Sequence, residues 1–158
     1  MSEEDKIDLN VYKVDQLGFV FKDVEKQAKI FEDLFNIPKF HFIPPFPNTV
    51  IYRGKEVNVT TKLGFSRYFN NIQIELIQHI EGESIYKEFI DQGREGLHHI
   101  SLFVDNLDFY LNLFQKLGFE IIYSGQISTQ NWAYLDTEEK LGFLIELQET
   151  ISRRKRKK

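Results

Sequence analysis

The chain has 158 residues, of which 42% are apolar and 15% aromatic, with 20 basic and 24 acidic side chains. This length fits one domain around one core, and the apolar content excludes a largely disordered chain. The N-terminal MSEEDKID is acidic, and no window approaches the roughly 18 uninterrupted apolar residues of a membrane span. The sequence therefore predicts neither export nor membrane insertion, and it favours a cytoplasmic location.

The chain contains no cysteine, so nitrogen and oxygen ligands would have to hold any metal. The last six residues, Arg153 to Lys158, are all basic, which leaves 14 basic against 24 acidic residues in the rest of the chain. A nucleic-acid-binding protein needs a basic face that follows the phosphates. We therefore expect no nucleic-acid partner. Residues 151–158 are predicted to form a disordered basic tail, with a weak nucleic-acid or protein contact as the alternative.

In chain order, residues 1–13 form an N-terminal extension, and the string QLGFVF from Gln16 then predicts a half-buried strand. The segment DVEKQAKIFEDLF follows with apolar residues at helical spacing behind an Asp23 N-cap. From Phe42 to Asn71 the sequence predicts proline breaks at positions 44, 45 and 47, a hairpin turn at Arg53-Gly54 and a strand over 57–65. A last strand, IQIEL from Ile72, completes the first half.

A linker, residues 81–96, joins the two halves. Its segment SIYKEFI, from Ser84, predicts a short helix that ends at Gly93, a normal C′ glycine. The second half repeats the first at an offset of 83, which pairs Val24 with Leu107 and Phe31 with Phe114. The repeat gives a strand from His99 and a helix with an Asn106 N-cap, followed by strands over 120–123, 130–135 and 143–147, with a turn at Ser124-Gly125.

Each half thus has the pattern strand, helix, three strands. The predicted fold class is α+β: two βαβββ modules, residues 14–80 and 97–150, form a paired, curled, mixed β-sheet that resembles an open barrel, with the helices outside. Residues 14–150 are expected to be one domain.

The repeat places polar groups at matched positions. Gln16 and His99 begin equivalent strands, whereas Glu75 and Glu146 lie on equivalent last strands. Strand alternation sends the neighbours of each glutamate to one face and the carboxylate to the other. Taken singly, each glutamate could be a solvent-facing strand residue and His99 a hydrogen-bonded core histidine. Together, the four residues predict a site with one nitrogen and three oxygen ligands, suited to a divalent ion.

The strings DQLGFVFKDVEKQAKIFEDLF, QIELIQHIEGESIYKEFIDQGREGLHHISLFVDN and WAYLDTEEKLGFLIELQE resemble the vicinal oxygen chelate (glyoxalase/bleomycin resistance/dioxygenase) superfamily, specifically its branch around methylmalonyl-CoA epimerase. The resemblance covers roughly residues 14–149. It implies a divalent metal ion (Co, Mn, Ni or Zn) on Gln16, Glu75, His99 and Glu146, and a homodimer. The epimerase pattern usually has histidine where this chain has Gln16. The metal-ligand set of glyoxalase I, by contrast, consists of Gln, Glu, His and Glu, which resembles the set in this chain.

By resemblance, the expected chemistry is removal of a proton beside a carbonyl group, with Glu146 as both ligand and catalytic base. An epimerase needs a second acid or base, and Glu56 is the candidate, with an exposed loop glutamate as the alternative. The predicted substrate-binding residues are His98, Trp132, Tyr134 and Arg67, although core packing would explain the aromatic ones equally well.

Three functions are consistent with these sequence features. The first is a metal-dependent epimerase or isomerase that forms an enolate from a small-molecule substrate such as an acyl-CoA or similar thioester. The second is a glyoxalase I-like lyase. The third is a metal-free binding protein that sequesters a small molecule, because fold alone does not decide function.

Overall fold

The computed structural model describes residues 6–8, 12–68 and 71–151. Each half has the order strand, helix, three strands that the repeat predicts, with the linker helix between the halves and one further helix before the last strand. The elements are β1 (Gln16–Val20), α1 (Val24–Phe35), β2 (His41–Tyr52), β3 (Lys55–Tyr68), β4 (Ile72–Glu81), α2 (Ile85–Asp91), β5 (Gly96–Phe103), α3 (Leu107–Lys116), β6 (Ile121–Ile127), β7 (Gln130–Leu135), α4 (Glu138–Leu141) and β8 (Leu144–Thr150).

The predicted helix starts are confirmed by their capping bonds. The Asp23 carboxylate accepts from the backbone N–H of Lys26 at 3.0 Å, and Asn106 caps α3 through Phe109 N–H at 3.1 Å. Ser84 caps the linker helix α2 in the same way, and Gly93 follows its end with a φ of 76°. These caps fix where each helix leaves the preceding strand.

The eight strands form one closed barrel in the order β1-β4-β3-β2-β6-β7-β8-β5. Within each module the first and last strands run parallel, and the modules meet through the antiparallel pairs β1–β5 and β2–β6. The predicted α+β class and its two βαβββ modules are confirmed. The second junction, β2–β6, closes the sheet that the sequence predicts as open.

Strand alternation separates an outer from an inner face, as predicted. On β4, Ile74 and Leu76 pack against α1 outside the barrel, and on β8 Ile145 and Leu147 pack in the cluster beneath α3. The residues between them point into the barrel. Helix α2 closes one end of the barrel, because its apolar side chains belong to the interior cluster with Val20 of β1.

Two local predictions were wrong, and one helix was missed. Strand β2 continues through the prolines because a register shift between Ile43 and Phe46 accommodates Pro44 and Pro45 as a bulge, and Pro47 pairs with Thr60 of β3. Strand β6 continues through Gly125, whose missing side chain makes room for the Trp132 ring, and its turn lies at Ser128 instead. Helix α4 was not predicted.

The N-terminal extension contacts the second module where the structure describes it. The Tyr12 hydroxyl donates to Asp105 at 2.6 Å, and its ring packs edge-on against Tyr110. Residues 152–158 of the predicted basic tail lie outside the described residues, so the tail stays a prediction. In the part of the chain that the structure describes, no helix is long and apolar enough to cross a membrane.

A polar cluster attaches the β2–β3 hairpin to α2. Arg53 donates to both carboxylate oxygens of Glu88, at 2.7 and 2.9 Å, and the Tyr52 hydroxyl also donates to Glu88. The hydrogen bond from Arg53 is the main cause that lowers the pKa of Glu88. Because the folded-state pKa lies below the unfolded value of about 4.3, this stabilisation is present above that pH and is lost as the pH falls.

We therefore expect Glu88→Gln to lower the free energy of unfolding by about 1 kcal/mol at pH 7, because the pair is partly exposed. The difference from wild type should shrink as the pH falls from 7 toward the acid range, measured by urea unfolding at each pH. Glu83→Gln removes a looser ion pair to Lys87 of the same helix and serves as the control. A Glu88→Gln deficit that is constant with pH would contradict this assignment.

Candidate active site in the barrel

A cavity of about 610 Å³ opens at the end of the barrel opposite α2. Its opening is lined by Lys13, Asp15 and Arg67, and by Phe103 at the end of β5. Its deeper walls carry both aromatic rings and amide side chains. This combination, an apolar pocket with a few converging polar groups, is typical of small-molecule sites.

Three ionisable side chains meet inside the barrel: Glu75 of β4, His99 of β5 and Glu146 of β8. The Nε2 atom of His99 lies 3.4 Å from Oε2 of Glu75 and 3.5 Å from Oε2 of Glu146. One potential ligand atom from each residue lies within 4.8 Å of the other two, and all three residues are buried. Buried charges of this kind are retained when they are paired or when they coordinate a metal.

The position of His99 depends on Gly18 of β1. Gly18 pairs with Glu75 on one side and with His99 on the other, so the bare glycine backbone lies between two members of the group. A Cβ atom at position 18 would be 1.8 Å from Cε1 of His99. The imidazole can lie across β1 only because that side chain is missing.

Burial and the neighbouring charges together shift the pKa values of Glu75 and His99. Burial raises the pKa of Glu75, and the charge of Glu146 adds to this, although His99 opposes it. Burial by itself lowers the pKa of His99, but hydrogen bonds and charges from Glu146 and Glu75 outweigh it and raise the pKa to about 9. In the metal-free protein, therefore, the neighbouring glutamates stabilise a proton on His99.

The arrangement of two glutamates around His99 suits a divalent cation. A metal held by the same side chains would replace the proton on His99 and neutralise both carboxylates, because ligands bind in their deprotonated forms. The donors are one imidazole nitrogen and carboxylate oxygens, a set that suits borderline and hard divalent ions. Glu75, His99 and Glu146 are the residues that could hold it.

Gln16 lies beside this group in a network of amides. Its Nε2 donates to Gln73 at 2.8 Å, and its Oε1 accepts from Gln148 at 3.4 Å. The same Gln148 nitrogen donates to Oε2 of Glu146 and to the Ser101 hydroxyl, both at 2.9 Å. Because the nitrogen of Gln16 is engaged with Gln73, its oxygen is the atom available to a cation.

Tyrosine hydroxyls border the group on the α2 side. The hydroxyl of Tyr134 lies 3.4 Å from Nε2 of His99 and 2.9 Å from the hydroxyl of Tyr86. Burial is the main cause that raises the pKa of both tyrosines well above the ordinary value. Both hydroxyls therefore stay protonated and can donate hydrogen bonds.

Residues 15–134 match the glyoxalase/bleomycin resistance protein/dioxygenase superfamily. The chain belongs to this superfamily. The match runs from β1 of the first module to β7 of the second and includes Gln16, Glu75 and His99, whereas Glu146 lies beyond its end.

Solved structures share this superfamily fold at low sequence identity. A hypothetical protein from Bacillus halodurans is 18% identical, with 90% of this chain and 96% of that chain covered and a TM-score of 0.65. Methylmalonyl-CoA epimerase from Mycobacterium tuberculosis is 16% identical, with coverages of 90% and 91% and a TM-score of 0.64. A variant of the Streptomyces coelicolor epimerase, in complex with 2-nitronate-propionyl-CoA, is 15% identical, with coverages of 87% and 94% and a TM-score of 0.63. No curated protein matches the chain.

Within this superfamily fold, three of the four predicted substrate-binding residues line the cavity. Tyr134 is buried at its base, Trp132 is half-buried beside it, and Arg67 is exposed at the opening, where its Nη1 donates to the carbonyl of Asn71 at 2.9 Å. The remaining donors of the Arg67 guanidinium can meet a carboxylate or phosphate.

The structure does not bring His98 and Glu56 to the cavity. His98 lines a separate small pocket between α2 and β8, because a bulge turns it toward α2. Glu56 is exposed and lines a surface depression with Leu107 and Asp108 of α3. It lies next to the β2–β3 turn, on the outward face of β3, so the exposed-glutamate alternative describes its position.

Sequence reasoning missed Gln73 and Gln148. Each lies two residues from a site glutamate, Gln73 before Glu75 and Gln148 after Glu146. Strand alternation therefore places each on the same inner face as its glutamate. That signal was present in the sequence, and it would have identified both residues.

Proposed function

We propose that this protein is a metal-dependent isomerase or epimerase that forms an enolate from an acyl-CoA or similar thioester. The observation that carries the proposal is the buried Glu75/His99/Glu146 group at the wall of a 610 Å³ cavity. Two epimerases with the same fold add support, since one is in complex with 2-nitronate-propionyl-CoA and another with methylmalonyl-CoA. Dimerisation stays a prediction.

Each residue of the site has its own role in this reaction. Gln16, Glu75, His99 and Glu146 would hold a divalent ion such as Co²⁺, Mn²⁺, Ni²⁺ or Zn²⁺, which supplies Lewis-acid stabilisation of the negative charge that develops on the thioester oxygen. Glu146 takes the α-proton, and the hydrogen bond from Gln148 fixes its orientation. Tyr134 donates toward the same region, and Arg67 binds an anionic part of the substrate at the opening.

Inversion at the α-carbon needs a proton donor on the other side of the enolate. The wall opposite the group is formed by β2 and β6, and its described lining residues are Ile43, Phe46, Asn48, Val50, Tyr123 and Ile127. Among these, Tyr123 carries a transferable proton, and burial raises the pKa of its hydroxyl, which keeps it protonated until the enolate takes the proton. We assign the second acid to Tyr123 in place of Glu56.

The test is uptake of solvent deuterium at the α-carbon of propionyl-CoA and methylmalonyl-CoA, followed by NMR. We expect no uptake with metal-depleted protein and uptake after addition of Mn²⁺, Co²⁺, Ni²⁺ or Zn²⁺. Tyr123→Phe should keep exchange but slow inversion of methylmalonyl-CoA. A protein that binds the metal and exchanges neither substrate would refute the proposal.

A second function is favoured by Gln16, because the set Gln16, Glu75, His99 and Glu146 resembles glyoxalase I. It predicts metal-dependent formation of a thioester from methylglyoxal and glutathione, which is followed by ultraviolet absorbance. If the wild type binds no metal at all, the metal-free sequestering protein is the function that remains.

A further inference from the structure

His98 interrupts the alternation of inward and outward side chains along β5. On β1, Gly18 pairs with His99 and the next residue, Phe19, pairs with Leu97, so His98 is an extra residue in the ladder. Such a bulge lets two successive side chains point to the same side of a strand. His98 and His99 are accordingly both buried, with ring centroids 5.4 Å apart.

The two imidazole rings contact each other through their Nδ1 atoms. Nδ1 of His98 lies 3.1 Å from Nδ1 of His99, so one of these nitrogens must carry the proton and the other must accept it. Burial lowers the pKa of His98 well below its ordinary value, whereas a hydrogen bond between its ring and the backbone of Ile85 in α2 raises it, as donation to a carbonyl oxygen does. Because Nδ1 of His98 is engaged by His99, the ring nitrogen left for the Ile85 carbonyl is Nε2, and a proton on Nε2 leaves Nδ1 of His98 as the acceptor.

We propose that His98 is a positioning residue that fixes the tautomer and orientation of His99. The Nδ1–H of His99 donates to Nδ1 of His98, and Nε2 of His99 is thereby directed at Glu75 and Glu146. The rings of Tyr86 and Phe89 hold His98 in place, with centroids 5.3 and 5.1 Å away. Helix α2 thus supports the ligand group from outside the cavity.

The consequence for the site follows from how histidine binds metals. A ligating imidazole needs its second nitrogen held by an acceptor, and loss of such a partner weakens metal affinity about 10- to 100-fold. In most such sites the acceptor is a carboxylate or a carbonyl oxygen, whereas here a neutral imidazole has that place. This part of the inference rests on the proposed metal site, but the tautomer of His98 does not.

The first experiment is long-range ¹H–¹⁵N NMR of the imidazole nitrogens in metal-free protein. The chain has four histidines, so the variants His41→Asn, His79→Asn and His98→Asn together assign all four spin systems. We expect His98 to carry its proton on Nε2, and Nδ1 of His99 to be protonated and hydrogen-bonded. A proton on Nδ1 of His98, or rapid averaging of its tautomers, would overturn the proposal whether or not the protein binds metal.

The second experiment measures metal affinity by titration with Co²⁺. His98→Leu should weaken binding about 10- to 100-fold, whereas His98→Asn, which retains an acceptor near the Nδ1 position, should recover part of the loss. Phe89→Leu loosens the packing around His98 without removing the hydrogen bond, so it should weaken the affinity much less than His98→Leu. If His98→Leu and Phe89→Leu lose equal affinity, the role of His98 is packing alone. If wild type itself binds no Co²⁺, the proposed function fails and the NMR result decides the role of His98.

Discussion

Glu146→Gln will reduce metal-dependent α-proton exchange by about 10²- to 10⁴-fold at saturating metal, the size expected when a general base is lost. The amide can still offer an oxygen ligand, so the variant should bind metal more weakly yet reach saturation. Its side chain has the same shape, and the Gln148 amide remains within reach of the oxygen it contacts at 2.9 Å in wild type. The measurement is the deuterium exchange rate of propionyl-CoA at increasing Co²⁺ or Mn²⁺ concentration.

Glu75→Gln is the matched control, because Glu75 occupies the equivalent strand position and lies at nearly the same distance from Nε2 of His99. If Glu75 is a ligand only, its variant should need more metal but should recover most of the exchange rate at saturation. Equal losses at saturation in both variants would show that neither carboxylate acts alone as the base. A wild-type rate in Glu146→Gln would assign the base elsewhere.

Much of the fold was accessible from the sequence because the two modules repeat the same physical pattern. Asp23 and Asn106 cap equivalent helices, and the apolar neighbours of Glu75 and Glu146 reveal which face of each strand is covered. Alternation then requires both carboxylates to point inward. The structure brings them together with His99, as that reasoning predicts, although their metal-binding roles stay a proposal.

The two predicted site residues that lie outside the cavity are found where strand alternation is not a guide: His98 at a strand bulge and Glu56 beside a turn. His98 was assigned to the pocket beside His99, but the extra residue in β5 directs it toward α2. Glu56 follows the Arg53-Gly54 turn, and sequence alone gives no register for its strand. A bulge depends on pairing between strands far apart in the chain, so local pattern does not reveal it.

The same long-range pairing gives Gly18 a role that its local sequence does not show. Gly18→Ala would place a Cβ atom 1.8 Å from Cε1 and 2.2 Å from Nε2 of His99. The His99 ring is completely buried, so it has no open space to enter. We expect a loss of about 1–3 kcal/mol in the free energy of unfolding, the usual cost of overpacking. Displacement of Nε2 should also remove measurable Co²⁺ binding.

Two further variants separate the clash with His99 from general overpacking. Gly64→Ala would meet the Phe42 ring at 2.6 Å on the α1 side of the sheet, so it should lower stability without changing Co²⁺ affinity. In Gly18→Ala combined with His99→Ala, the obstructing ring is gone, and the stability losses should be strongly non-additive. Urea unfolding of the metal-free proteins gives this coupling directly. Additive losses would mean that β1 moves away to accommodate the methyl group, and that the close approach of Gly18 does not determine the position of His99.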